Sequence, residues 1–180
     1  MVPRFSILIA ISLVLLVHTC PLRLFDFDAR ACRDSTNPTR IEACTRAINT
    51  SSWYLDNGSW AYTGRGNAHR KAGAFDLALA DYEQSIRLNP GRSDTYYSRG
   101  LVYRDKKDFD RAIADYTHAI RGFNLRTLPL TYKRDYLNSR AIAYERKGSF
   151  ALAMADYEAA IRLPLRTPTS ITIAACCSKP

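Results

Sequence analysis

Three arginine–aspartate pairs recur at one interval in this chain: Arg65 and Asp81, Arg99 and Asp115, Arg140 and Asp156, each sixteen residues apart. A guanidinium and a carboxylate can form a bidentate ion pair, and a row of arginines can instead hold an anionic ligand. If the sixteen residues fold as a helical hairpin, the two ends meet, which predicts one inter-helix salt bridge per pair. The ligand-binding row stays open as the alternative. Cys32 and Cys44 form a second candidate pair, flanking "RDSTNPTR" and the start of a helical pattern. A disulfide closing so short a loop would contribute roughly 3 kcal/mol. The alternative is two unpaired thiols, one of them buried on a helix face. Cys176 and Cys177 stand in a polar, proline-flanked stretch, where they could bind metal, cross-link chains or be incidental. No spacing resembles a zinc site.

Catalytic chemistry is not legible. His18 lies in an apolar leader, His69 at an aromatic packing position and His118 within a helical pattern. No serine or cysteine is set beside a histidine by a motif, and no paired carboxylates face one pocket. The glycines of "GRGN" at 64–67 fall inside a helical run, not in a phosphate-cradling loop. We therefore expect no enzyme, no cofactor and no resident metal. The net charge of +9 favours acidic partners. No interleaved basic and aromatic strand or recognition helix appears, so nucleic acid is not expected.

The elements that must position these residues announce themselves by repetition. "ADYEQSIR" at 80–87, "ADYTHAIR" at 114–121 and "ADYEAAIR" at 155–162 are near copies. Residues 59–92 and 93–126 match at an offset of 34, and 134–167 matches the second at an offset of 41. Within each unit the apolar residues fall at helical spacing twice, separated by "KAGA", "DKKD" or "RKGS". Asp108 and Ser149 are suited to cap the second helices, and Pro90 stops one. Each unit thus reads as helix, turn, antiparallel helix.

A 34-residue period with this anatomy resembles the tetratricopeptide repeat. Tyr62 and Tyr96 match its first aromatic, with Leu137 in the third unit; Gly66, Gly100 and Ala141 match its small residue. Tyr103 and Tyr144 match the next aromatic, with His69 in the first unit. Phe75, Phe109 and Phe150 match the turn aromatic, and Ala78, Ala112 and Ala153 the second small residue. Tyr82, Tyr116 and Tyr157 match the second-helix aromatic, Ser85, Ala119 and Ala160 the closing small residue, and Pro90 the proline. The small residues let two helices approach while the aromatics fill the space beside them. One hairpin cannot cover its own apolar face, so neighbours must stack. The resemblance implies an all-α fold, a right-handed superhelical stack of helix-turn-helix hairpins, or α-solenoid. A fourth, eroded copy is read at 32–58, where "EACTRAIN" echoes the phrase and the proposed disulfide would pin a cap.

The family's first helices line a concave groove for a peptide or protein. Carried onto this chain, the resemblance assigns to that groove Thr63, Asn67, Arg70 and Lys71, then Tyr97, Ser98, Leu101, Arg104 and Asp105. From the third unit it adds Asn138, Ser139, Ile142 and Arg146. The expected function is a protein-interaction scaffold with an acidic or carboxylate-bearing partner. A self-assembling protein is the alternative. "LRTPTSITIAACCSKP" after Pro164 does not read as a capping helix, so the last apolar face is left for a homodimer contact or for the "SITIAA" segment.

Residues 1–31 read as a signal peptide or an N-terminal membrane anchor, because Arg4 precedes thirteen uncharged residues, "FSILIAISLVLLV". That reading predicts a periplasmic or secreted protein of exported bacterial type, tethered to the membrane if the segment is kept. Residues 164–180 read as a disordered tail.

Overall fold

The computed structural model describes residues 28–34, 36, 38–50, 58–124 and 128–164. Every regular element among them is a helix: α1 (28–33), α2 (Arg40–Thr50), α3 (Ser59–Lys71), α4 (Phe75–Leu88), α5 (Ser93–Asp105), α6 (Phe109–Arg121), α7 (Leu130–Arg146) and α8 (Phe150–Arg162). The fold is all-α and built of helical hairpins, as the repeat implies. The chain divides after Asn89 into two compact units.

In the N-terminal unit, α3 and α4 form a hairpin around one close approach. A Cβ on Gly66 would lie 2.7 Å from the Tyr82 ring, so only glycine lets that ring lie flat against α3. Tyr82 is fully buried, and its hydroxyl donates to Asn67 Oδ1 at 2.8 Å. A buried polar knot closes the other end of the hairpin. The Thr63 and Ser85 hydroxyls lie 2.8 Å apart, and Ser85 Oγ donates to the Ser59 carbonyl at 2.9 Å. Between α3 and the two helices before it sits a small core of Ala31, Cys32, Ala43, Cys44, Ala47 and Ala61, with Trp60 and Ile48 against it. The sulfurs of Cys32 and Cys44 stand 2.04 Å apart, both side chains wholly buried. A Cβ on Gly64 would come within 2.9 Å of Cys32 Sγ, so this glycine makes room for the sulfurs. Arg46 pairs with Asp28 at 2.9 Å and ties α2 to α1.

In the C-terminal unit, α5, α6, α7 and α8 pack in succession. Gly100 meets Tyr116 as Gly66 meets Tyr82, at 2.7 Å from a built Cβ. The longer α7 carries Tyr136 into an aromatic group, with its ring 4.6 Å from Tyr97 and 6.4 Å from Phe123.

The hairpin turns share one backbone device. The amides of Ala74, Asp108 and Ser149 bond back five residues to the carbonyls of His69 (2.9 Å), Tyr103 (2.8 Å) and Tyr144 (2.9 Å). This closure needs a left-handed residue, supplied by Gly73, Lys107 and Gly148 at φ of 76°, 62° and 78°. Lys107 therefore carries strain that glycine avoids. Asp108 also caps α6, accepting from the Arg111 amide at 3.1 Å. Ser149, expected to cap α8 in the same way, makes no side-chain cap bond.

One expectation is overturned. The reading of a periplasmic or secreted protein tethered by an apolar leader finds no support, because among the described residues no helix is long and apolar enough to cross a membrane. The longest, α7, is 17 residues and carries charges along its length. The run at 5–17 on which that reading stood lies outside the described residues, as do Cys20, Cys176, Cys177 and residues 165–180.

Candidate functional site

The three arginine–aspartate pairs close within their own hairpins. Arg65, Arg99 and Arg140 each reach their aspartate, Asp81, Asp115 or Asp156, at 2.7 Å, with a second guanidinium contact alongside. The carboxylates are almost fully shielded, at 7–9% side-chain exposure. Arg65 and Arg140 hold their protons more tightly than an ordinary arginine. The hydrogen bond to Asp81 or Asp156 is the main cause, with burial opposing it. Each of the two also reaches back to the preceding helix, donating to Thr45 Oγ1 at 3.2 Å or Thr117 Oγ1 at 3.0 Å. Spacing alone pointed to the aspartates; the threonine contacts depend on how successive helices pack and carry no spacing signal.

The two described histidines, His69 and His118, pack against side chains of their own units. His69 Nε2 lies 3.8 Å from Asp81, and His118 stacks on Tyr96 at 3.7 Å. Among the described residues no group of three or more His, Cys, Asp and Glu side chains could hold a metal ion.

The residues assigned to a groove separate into two sets. Thr63 and Ser98 are buried, and the Thr63 hydroxyl bonds to Ser59 and Ser85 inside the hairpin. Neither side chain therefore lies on an open face. Asn67 is half-buried and accepts from Tyr82. Arg70 is half-buried and Lys71 exposed in the last turn of α3.

In the C-terminal unit, Tyr97, assigned to the groove, is half-buried. Its ring leans on Tyr116 at 5.7 Å and on Tyr136 at 4.6 Å, and its hydroxyl lies 3.3 Å from Ser139 Oγ. That contact sets α5 beside α7. Leu101 follows Tyr97 by one turn, and Ile142 follows Asn138 by one turn, at matching positions of the two helices. Leu101 and Asn138 are half-buried, and Ile142 is exposed. Arg104 continues the α5 row and pairs with Asp105 at 2.9 Å. Burial works against its charge, but the hydrogen bond to Asp105, aided by Tyr116 and Tyr97, outweighs it and raises the pKa above the usual arginine value. Arg146 is exposed at the end of α7. The row thus offers apolar side chains, an amide and a cation along adjoining first helices.

Family models of the tetratricopeptide repeat match residues 59–92, and 93–121 with 135–165, together just over half of the chain. The chain belongs to the tetratricopeptide-repeat family. Among solved structures, it is similar to that of MamA, at 26% identity and a TM-score of 0.56, covering 68% of this chain and 65% of that one. This chain therefore spans slightly less than two thirds of MamA's length. It also resembles the N-terminal domain of stress-induced protein-1 (STI-1) from C. elegans, at 18% identity and TM-score 0.56, over 66% of this chain and 93% of that one. A third is the second TPR of Spaghetti (RPAP3) bound to HSP90 peptide SRMEEVD, at 21% identity and TM-score 0.53, over 59% and 92% of the two chains. No curated protein matches the chain significantly in sequence.

Proposed function

We propose that this tetratricopeptide-repeat protein is an interaction scaffold without chemistry of its own, and that α5 and α7 hold an extended peptide rich in acidic residues. The observation that carries the reading is the Tyr97–Ser139 contact at 3.3 Å, which sets the two first helices side by side. It aligns Leu101 and Ile142 as apolar footholds, with Asn138 for a peptide amide and Arg104 for a carboxylate. Arg104 already meets Asp105, so a ligand carboxylate would share or displace that pair. Asn67, Arg70 and Lys71 on α3 offer a face of the same type in the N-terminal unit. The Spaghetti repeat supports the choice of ligand, since the peptide bound to that protein carries two glutamates and an aspartate.

Fluorescence anisotropy with labelled SRMEEVD as the probe tests the reading. The expected result is binding that weakens with salt and becomes about tenfold weaker in Arg104→Ala, the size of one charge-assisted hydrogen bond. Equal binding by wild type and Arg104→Ala, or by a peptide whose acids are replaced with amides, would overturn it.

A further inference from the structure

The two first helices of the ligand face are charged toward both ends, with opposite signs. In α5, Asp94, Leu101 and Arg104 follow one another at intervals of seven and three; in α7, Asp135, Ile142 and Arg146 follow at seven and four. Such intervals keep each trio on one side of its helix. Both helices run the same way, antiparallel to α6. At the start of α6, Arg111 lies over the Tyr103 ring at 4.6 Å, near the end of α5, and Asp110 pairs with Lys147 at the end of α7. At the far end of α6, His118 stacks on Tyr96 near the start of α5. Arg104 and Arg146 therefore stand toward one edge of the face, and Asp94 and Asp135 toward the other.

A separate set of contacts joins the two acids. Tyr136 of α7 packs on Tyr97 of α5 at 4.6 Å. Asp94 and Asp135 both lie near enough to the Tyr136 hydroxyl to add to the rise in its pKa, which burial leads. That hydroxyl is buried and has no hydrogen-bond partner among the described residues, so a polar group lies unpaired in the field of one carboxylate from each helix. The acids themselves are within reach of a ligand. Asp135 is exposed, and Asp94 keeps 34% side-chain exposure with Arg92 beside it at 2.9 Å. The cations next to Asp135 in sequence are engaged elsewhere. Lys133 lies over the Phe123 ring at 5.7 Å, and Arg134 donates to the Leu163 carbonyl at the exit of α8, at 2.9 Å.

We infer that α5 and α7 select a peptide segment with a basic and an acidic residue on opposite sides of an apolar one. The base meets Asp94 and Asp135, the apolar side chain meets Leu101 and Ile142, and the acid meets Arg104 and Arg146. The spacing follows from the helix. Ten residues separate Asp94 from Arg104, about 15 Å along the axis, which an extended peptide spans in about four to five residues. This inference rests on the reading of α5 and α7 as the ligand face and adds to it a second charge of opposite sign. Asp94 and Asp135 are then specificity-determining residues, because they disfavour a wholly acidic segment that Arg104 alone would accept.

Fluorescence anisotropy with the labelled peptide SRSLSE, blocked at both termini so that only side chains carry charge, tests it. Changing the peptide arginine to glutamine is expected to weaken binding to wild type about tenfold, the size of one charge-assisted hydrogen bond. That change leaves the protein untouched, so folding does not enter. In the double variant Asp94→Asn, Asp135→Asn the two peptides should bind alike. Equal binding of both peptides by wild type would overturn the inference, as would discrimination that survives in the double variant. The peptide glutamate separates this outcome from failure of the face itself. If changing the glutamate to glutamine weakens binding to wild type but not to Arg104→Ala, while the arginine has no effect, only the acidic end falls. If neither charge matters, or no peptide binds at millimolar concentration, the ligand face falls with it.

Discussion

Tyr116 on α6 and Tyr157 on α8 occupy one position of the repeat, yet Tyr116 is fully buried and Tyr157 only half-buried. Around them, Arg99–Asp115 and Arg140–Asp156 have the same geometry, 2.7 Å in each. The polar clasp is therefore a property of a single hairpin, formed by a separation of sixteen residues whatever stands next to it. Within the C-terminal unit the aromatic's burial differs with its neighbours instead: α6 has α7 packed against it, and α8 packs on α7 alone among the described helices. The tyrosine hydroxyls show the same dependence. Tyr82 donates to Asn67, whereas Tyr157, with Ile142 at the position of Asn67, donates to Glu145 at 3.2 Å. Glu145 and burial together raise the Tyr157 pKa, burial first.

The largest expected effect sharpens this contrast. Tyr116→Ala should destabilise by about 3–5 kcal/mol, the cost of emptying a packed aromatic site, and Tyr157→Ala by roughly half of that, measured by urea unfolding. Equal losses would break the distinction between hairpin and stack. Next come the clasps. Asp115→Ala and Asp156→Ala should each cost about 3 kcal/mol, because each leaves a partly buried guanidinium unpaired. Here equality is the expected outcome, and a much smaller loss at Asp156 would make the clasp depend on the stack too.

Smaller effects probe two local strains. Lys107→Gly should stabilise by about 1 kcal/mol, since it removes a left-handed lysine. The corresponding Gly73 and Gly148 show what the turn prefers. Tyr136→Phe should be neutral or stabilising by about 1 kcal/mol, because the buried Tyr136 hydroxyl has no hydrogen-bond partner among the described residues. Burial, with Asp94 next, also raises the Tyr136 pKa above its ordinary value. Its stabilising share is complete below about pH 10 and is lost as pH rises toward the folded value. Wild type should therefore lose stability above pH 10 faster than Tyr136→Phe, as thermal melts at pH 8 and pH 11 would register.

The hairpins were legible because repetition at offsets of 34 and 41 exposes both helices and their turn aromatics. The ion pairs were legible because a separation of sixteen is a hairpin distance. Other features depend on tertiary contact. Thr63 and Ser98 look like polar face residues, yet both are buried, and the Thr63 hydroxyl, satisfied inside its hairpin, is as easily buried as an alanine. Tyr97 was read as a groove residue, and its packing against Tyr136 of α7 has no signal in the repeat. Arg134, which holds the exit of α8, has no periodic partner in sequence, since it binds backbone carbonyls. Ser149 was suited to its cap by type alone, and the turn satisfies the helix end through the backbone instead.

The claim on which the functional account turns is that α5 and α7 together present the ligand face. Backbone amide shifts of the labelled full chain, recorded while an acidic peptide such as SRMEEVD is added, test it most directly. The account predicts shifts concentrated at Leu101, Arg104, Asn138 and Ile142, with a midpoint at about tenfold higher peptide in Arg104→Ala. Shifts confined to α6 and α8, or none at millimolar peptide, would contradict it.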